Sequence, residues 1–335
     1  MNLGQRLDIL VELGDYLRSE DPAWQAARER AYQENGWFTP EFIRLAVRGI
    51  GEFLQRDKLE RWIAPYRFPQ KNEQPRSIGL VMAGNIPLVG FHDLLCIFIS
   101  GHRQTIKPSS RDQALIRALV ERMAVRDAEI STLIAFADRL NGSEAFIATG
   151  SNNSARYFDY YFGKYPHIIR RNRSSVAILD GGETRQELEA LADDVYQYFG
   201  LGCRNVTKLY VPENYDFIPL LKAFDKYSYL ADHHKYKNNY DYNLAVLILN
   251  KRQYMTNGSI LLDENPFPFS PISVLHYQYY REPTDILPAL ATDPDIQCIV
   301  GQGRNFAMVP FGKAQQPALD DYADGVDTLR FLRDL

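Results

Sequence analysis

Between Ser77 and Leu179, short apolar runs alternate with helical patterns, and this alternation constrains the fold more than any other feature. The spacing predicts strands over Ser77–Met82, Gln104–Ile106, Ala145–Ala148 and Ser175–Leu179. Helices fall between them at Leu88–Ser100, Asp112–Arg126 and Asn152–Phe162, the first ended by Gly101. A parallel strand pair needs a crossover long enough to hold a helix, so this rhythm predicts a doubly wound parallel sheet. Before it, Gly4–Leu17, Pro22–Asn35 and Pro40–Ile63 carry helical periodicity, with Thr39 as N-cap ahead of Pro40. After it, the pattern predicts helices over Arg185–Phe199, Asp216–Asp225 and Thr284–Ala291. Strands are predicted over Val206–Val211, Leu244–Leu249, Ser273–Tyr277 and Gln297–Val300. Tyr227–Tyr242 shows no clear period.

At 335 residues and 45% hydrophobic, the chain is long enough for two cores. A net charge of -4 argues against general nucleic-acid binding. The cluster Arg170-Arg171-Asn172-Arg173 reads as a solvated edge or an anion contact. Three scattered cysteines suggest a reducing compartment and no disulfide framework, and Met1–Arg6 does not open a signal peptide, so a cytoplasmic location is expected. The longest apolar run, Leu80 to Ser100, is broken by Asn85, Pro87, His92 and Asp93, and so predicts a buried strand-turn-helix and no membrane span. No metal site is expected: the adjacent His233 and His234 cannot share one helix face, and the remaining histidines are scattered.

Candidate chemistry sits at the ends of predicted strands and helices. Cys203 lies in the glycine hinge Gly200-Leu201-Gly202-Cys203-Arg204, where access and a neighbouring cation both favour a thiolate. Its local sequence fits a nucleophile and a packing residue equally well. Cys96 and Cys298 lie in apolar runs and read as small buried hydrophobes. Asn85, in Ala83-Gly84-Asn85-Ile86-Pro87-Leu88, fits an oxyanion donor or a helix N-cap, and the loop alone favours the cap. Lys107-Pro108-Ser109-Ser110-Arg111 places cations before a helix, which suits a phosphate or ribose. Thr149-Gly150-Ser151 is a second strand-to-helix turn, whose amides could meet a diphosphate.

Taken together and in order, these pieces resemble the aldehyde dehydrogenase superfamily. Gly84-Asn85-Ile86-Pro87-Leu88 resembles its strand-end Asn-Phe-Pro-Leu, Lys107-Pro108-Ser109 its Lys-Pro-Ser turn, and Thr149-Gly150-Ser151 its Thr-Gly-Ser. Leu179-Asp180-Gly181-Gly182 resembles its Glu-Leu-Gly-Gly, and Gly202-Cys203 its nucleophile. Within the superfamily, Val309-Pro310-Phe311-Gly312-Lys313 and Tyr322–Thr328 resemble the acyl-CoA reductase family of bacterial bioluminescence systems, which makes fatty aldehydes. The family's Glu-x-Phe-Gly-Pro segment is echoed only roughly, from Glu264 to Pro271.

The resemblance implies an α/β chain with a doubly wound Rossmann-type cofactor domain and an α/β catalytic domain. The expected divisions are an N-terminal helical segment (1–75), a cofactor domain (76–201), a catalytic domain (202–302) and a C-terminal segment (303–335) that returns to the cofactor domain or to an oligomer interface. It implies Cys203 as nucleophile and Asn85 as oxyanion donor, with Lys107, Ser109, Ser110, Arg111, Thr149, Gly150, Ser151 and Gly181 holding the cofactor. The glutamate that activates water in aldehyde oxidation falls where Leu179 stands, which implies reduction of a thioester. Ser110 replaces the ribose-binding acid and Arg111 follows it, which implies NADPH. The expected activity is NADPH-dependent reduction of an acyl-CoA or acyl-carrier-protein thioester, by a homo-oligomer, with an acyltransferase as a possible partner. The alternatives are an aldehyde-oxidising dehydrogenase and a non-redox acyl-transfer or scaffold protein.

Overall fold

The computed structural model describes residues 1–302 and 308–335. Residues 303–307, the start of the expected C-terminal segment, lie outside the described residues. The chain forms two compact units, Met1–Asn172 with Ala318–Leu335, and Arg173–Pro317.

The first unit opens with α1 (Leu3–Arg18), α2 (Pro22–Glu34), α3 (Pro40–Phe53) and α4 (Arg56–Ile63). Asn2 and Gln5 form a capping box at the start of α1. Thr39 caps α3, with its side chain accepting from the Phe42 amide. The helix expected over Pro40–Ile63 is two helices, because the chain turns at Leu54, which is wholly buried, and Gln55 is extended.

A five-stranded parallel sheet follows, built from β1 (Ser77–Val81), β2 (Arg103–Lys107), β3 (Ile134–Phe136), β4 (Ala145–Thr149) and β5 (His167–Arg170). Its helices are α5 (Phe91–Ser100), α6 (Ala114–Arg126), the single turn α7 (Ile130–Leu133) and α8 (Asn152–Phe162). The strand order is β3-β2-β1-β4-β5. The chain thus works outward from β1 to β3 and then restarts on the other side of β1, giving a topological switch point between β1 and β4.

β5 was not visible in the sequence pattern, and it corrects the reading of the arginine cluster. Arg170 is 4% exposed. Its guanidinium donates to both Asp93 oxygens, at 2.9 and 2.7 Å, and to Thr328 Oγ1 at 2.9 Å. The returning segment closes the unit. Its helix α13 (Thr328–Arg333) packs on α5. Tyr322 accepts the Trp62 indole N–H at 2.9 Å, and its hydroxyl meets that of Tyr66 at 2.7 Å.

The second unit holds a six-stranded sheet of order β11-β6-β7-β10-β9-β8. Its strands are β6 (Ser174–Ile178), β7 (Val206–Pro212), β8 (Tyr254–Thr256), β9 (Leu261–Glu264), β10 (Val274–Tyr280) and β11 (Ile296–Gly301), parallel except for the β8–β9 pair. Its helices are α9 (Arg185–Tyr196), α10 (Phe217–Phe224), α11 (His234–Leu249) and α12 (Pro283–Thr292). Because β6 pairs with β7 and β11, the division falls at Asn172/Arg173 and not at 201/202. The strand expected over Leu244–Leu249 is instead the end of α11, whose buried residues Tyr236, Tyr240 and Leu247 lie along one helical stripe.

Candidate active site

In the first unit, β1, β2 and β4 are neighbours, and their carboxyl ends carry three of the sequence's candidate segments. In open α/β sheets, ligands bind outside these ends at the switch point. The loop after β1 is pinned along its length. A Cβ at Gly84 would come within 2.5 Å of Ser109 Oγ, and one at Gly90 within 2.6 Å of Met82 Cγ, so both positions need glycine for close approach. Leu88 is buried with a left-handed backbone (φ 58°). Its amide donates to Asp112 Oδ2 at 2.6 Å. Asn85 is half-buried in this loop. It is not a helix cap: α5 begins at Phe91, and its N-cap residue is Gly90. The reading favoured by the loop sequence alone therefore fails.

The turn after β2 carries Lys107, Ser110 and Arg111, all exposed, and the half-buried Ser109. Ser109 Oγ accepts the Arg111 amide at 3.2 Å, and Ser109 C=O accepts the Asp112 amide at 3.1 Å. The carboxylate next in the chain, Asp112, is buried with its pKa pushed up to about 7 by that burial, against the Leu88 hydrogen bond that lowers it. No carboxylate of this turn is therefore presented to a ribose. After β4, Ser151 caps α8 by accepting the Ser154 amide, and a Cβ at Gly150 would meet Ser154 Cβ and Phe158 at 2.9 Å. Exposed cations, turn hydroxyls and a helix N-terminus on one sheet edge fit the adenosine and diphosphate of a dinucleotide.

The nucleophile candidate lies in the second unit. Cys203 is half-buried in the turn between α9 and β7. Tyr198, Phe199 and Gly200 ahead of it are all left-handed (φ 55, 57 and 74°). Two consecutive non-glycine residues in that region store roughly 1–2 kcal/mol each. Asn205, fully buried, holds this geometry. Its Oδ1 accepts the Gly202 amide at 2.8 Å, and its Nδ2 donates to the carbonyls of Asp194, Val195 and Gln197 at 3.0, 3.3 and 2.8 Å. Sequence reasoning passed over Asn205, although an Asn two residues after a Gly-Cys pair at a helix end is a turn signal.

Ser175 Oγ donates to Cys203 C=O at 3.1 Å and lies 3.0 Å from Cys298 Sγ. Cys298 is thus half-buried with a polar contact, not a plain apolar filler, and burial raises its pKa. Cys96 is fully buried, which pushes its thiol up strongly.

Gly181 and Leu179 both follow β6 in the second unit. The amide of Gly181 (φ 87°) faces the Glu183 carboxylate at 3.2 Å. Leu179 continues β6 beyond Ile178, with its amide bonded to Tyr210 C=O, whereas Cys203 adjoins the start of that strand at Ser175. Four residues of strand separate these points by ~13 Å at ~3.3 Å per residue. A missing carboxylate at Leu179 therefore says nothing about water activation at Cys203. Glu264, at the end of β9, is exposed.

No protein-family model and no curated protein sequence matches the chain. Solved structures do resemble it. A crystal structure of an E. coli NADP dependent enzyme gives a TM-score of 0.67 at 12% identity, covering 92% of this chain and 74% of that one. Aldehyde dehydrogenase 21 from Physcomitrella patens, in complex with the reaction product succinate, gives 0.67 at 12%, covering 100% and 84%. Mycobacterium tuberculosis aldehyde dehydrogenase complexed with NAD+ gives 0.63 at 12%, covering 91% and 74%. At these identities the likeness is one of architecture, and the chain has the fold of the aldehyde dehydrogenases.

Proposed function

We propose that the chain is an NAD(P)-dependent oxidoreductase acting through an acyl-Cys203 intermediate, and specifically an NADPH-dependent reductase of acyl-CoA or acyl-carrier-protein thioesters. The observation that carries this reading is the Cys203 turn, where backbone strain and a fully buried Asn205 hold a half-buried thiol in place. Strain of that kind concentrates at functional sites. Cys203 Sγ attacks the thioester carbonyl carbon, and the Asn85 side chain with the Cys203 amide stabilises the oxyanion. Collapse expels the carrier thiolate and leaves the acyl group on sulfur. The Lys107–Arg111 and Thr149–Ser151 turns would hold a reduced nicotinamide cofactor, whose chemistry would be to give a hydride to the acyl carbon. The same donors stabilise the second oxyanion, which collapses to aldehyde and returns the Cys203 thiolate. Asp194, joined to the turn through Asn205, has its carboxylate taken by the amides of Gly312 at 2.6 Å and Ala314 at 2.9 Å, a clamp rather than a water-activating base. The thioester rests on the resemblance of the Val309–Lys313 and Tyr322–Thr328 segments, and NADPH on the basic turn, whose carboxyl group, that of Asp112, is buried.

Incubation with acyl-CoA followed by peptide mass spectrometry, and NADPH oxidation across acyl chain lengths, test the reading. Wild type should carry the acyl group on Cys203 and consume NADPH. Cys203→Ala should lose both, while Cys96→Ala and Cys298→Ala keep most of each. An adduct on Cys96, or turnover only of aldehyde with oxidised cofactor, sinks the thioester-reductase reading. Failure to bind either nucleotide favours the acyl-transfer or scaffold alternative.

A further inference from the structure

Asp112 is a buried carboxyl group that the proposed chemistry does not use. It ends the basic turn through its own amide, which donates to Ser109 C=O at 3.1 Å. Through Oδ2 it also holds the amide of Leu88 at 2.6 Å, while Oδ1 has no hydrogen-bond partner among the described residues. Leu88 needs holding, because a left-handed leucine costs roughly 1–2 kcal/mol. Three residues earlier stands Asn85, next to Gly84, which packs closely against Ser109, and the Met82 amide donates to Lys107 C=O at 3.1 Å. The loop after β1 is therefore registered on the turn after β2 at Met82, Gly84 and Leu88.

We infer that Asp112 is a positioning residue for Asn85, acting through the Leu88 backbone. The role rests on the proposed oxyanion function of Asn85, but the backbone part of it does not. An acceptor at the Oδ2 position is what the role requires, and the charge is not. Asp112→Asn keeps such an acceptor, whereas Asp112→Leu removes it and leaves a buried N–H unpaired.

Amide hydrogen exchange over residues 83–90 tests the backbone part without any turnover. Protection should be near wild type in Asp112→Asn and fall roughly tenfold or more in Asp112→Leu, since an unpaired buried amide costs ~1–3 kcal/mol. If Asp112→Leu does not fold, Asp112→Ser, too short to reach the Leu88 amide, takes its place. Acylation of Cys203 should slow about tenfold in the same variant, with nucleotide Kd within about threefold, and recover in Asp112→Asn; an oxyanion donor accounts for ~10²–10³ when lost outright. In an Asn85→Ala background, Asp112→Leu should slow acylation no further. Unchanged protection, additive losses, or a loss of nucleotide affinity that matches the loss of rate would overturn the inference. If wild type forms no acyl-enzyme at all, the proposed function fails, and exchange still decides whether Asp112 holds the loop.

Discussion

At the level of single residues, the proposed NADPH preference rests on Ser110 and Arg111. Both are exposed at the end of β2, and the carboxylate that follows them is buried. An Arg–phosphate hydrogen bond is worth ~1.5–3 kcal/mol, so NADPH should be preferred to NADH roughly ten- to a hundredfold in kcat/KM. Ser110→Glu should narrow or reverse that ratio by repelling a 2′-phosphate; equal efficiencies in the wild type would refute the assignment. Asp112 bears on stability as well. Its pKa rises from 3.8 in the unfolded reference to about 7 in the fold, because burial disfavours the charge. Between those values the folded state holds a proton that the unfolded state has released, so stability falls as pH rises through that window. Asp112→Asn carries no such penalty. Its stability should gain on wild type between pH 5 and 8 by about 3 kcal/mol, at ~1.4 kcal/mol per pKa unit, with a matching rise in Tm. Calorimetry showing parallel pH profiles would contradict this. The sequence named the cysteine and the basic turn because their signals are local. It could not name Asp112, Arg170 or Ser175 in their roles, because the partners that define them (Leu88, Asp93 with Thr328, and Cys203) lie far along the chain.

Among the elements, the segment from α9 through the Cys203 turn to β7 carries the most strain. Asn205→Ala would leave the Gly202 amide and three carbonyl groups without their side-chain partner. The expected cost is ~2–4 kcal/mol in urea unfolding, with faster alkylation of a loosened Cys203. A change below ~0.5 kcal/mol, the scale of an ordinary surface substitution, would show that the turn holds itself. Most helices and three strands of the first sheet, β1, β2 and β4, were legible, because their apolar periods are clean and their caps strong, as at Thr39 and Ser151, whereas the three-residue β3 is too short to show a period. The end of α11 was misread because Leu244–Leu249 is continuously apolar, and such a run has no period to separate helix from strand. β8 and β9 were missed although Asn257-Gly258 lies between them, and that pair is a hairpin signal. β5 hid because its final residue is an arginine, and only the buried Asp93 makes that side chain an interior one.

For the molecule as a whole, the alternation of strands and helices foretold a parallel sheet but not which strands share it. Ser174–Ile178 reads the same whichever sheet it joins, and membership is settled only by the distant partners β7 and β11. The first unit is discontinuous, with Ala318–Leu335 closing what Met1–Asn172 begins. All three tryptophans, Trp24, Trp37 and Trp62, belong to it, so indole fluorescence reports on that unit alone. Truncation after Pro317 removes Tyr322, Thr328, Leu329 and Leu332 from its interior. Indole emission should then shift red and lose its cooperative transition, while hydrogen exchange over β7 stays slow. Retained cooperativity would mean that the segment is dispensable. The same interruption sets an order on biosynthesis. Ala318–Leu335, which seals the earlier unit, is added only after all of Met1–Pro317 has been joined. Until then the nascent chain carries Arg170 and Asp93 without Thr328, and α5 without α13. The first unit is therefore the last to be completed, and α5 keeps its apolar face uncovered for as long as α13 is missing.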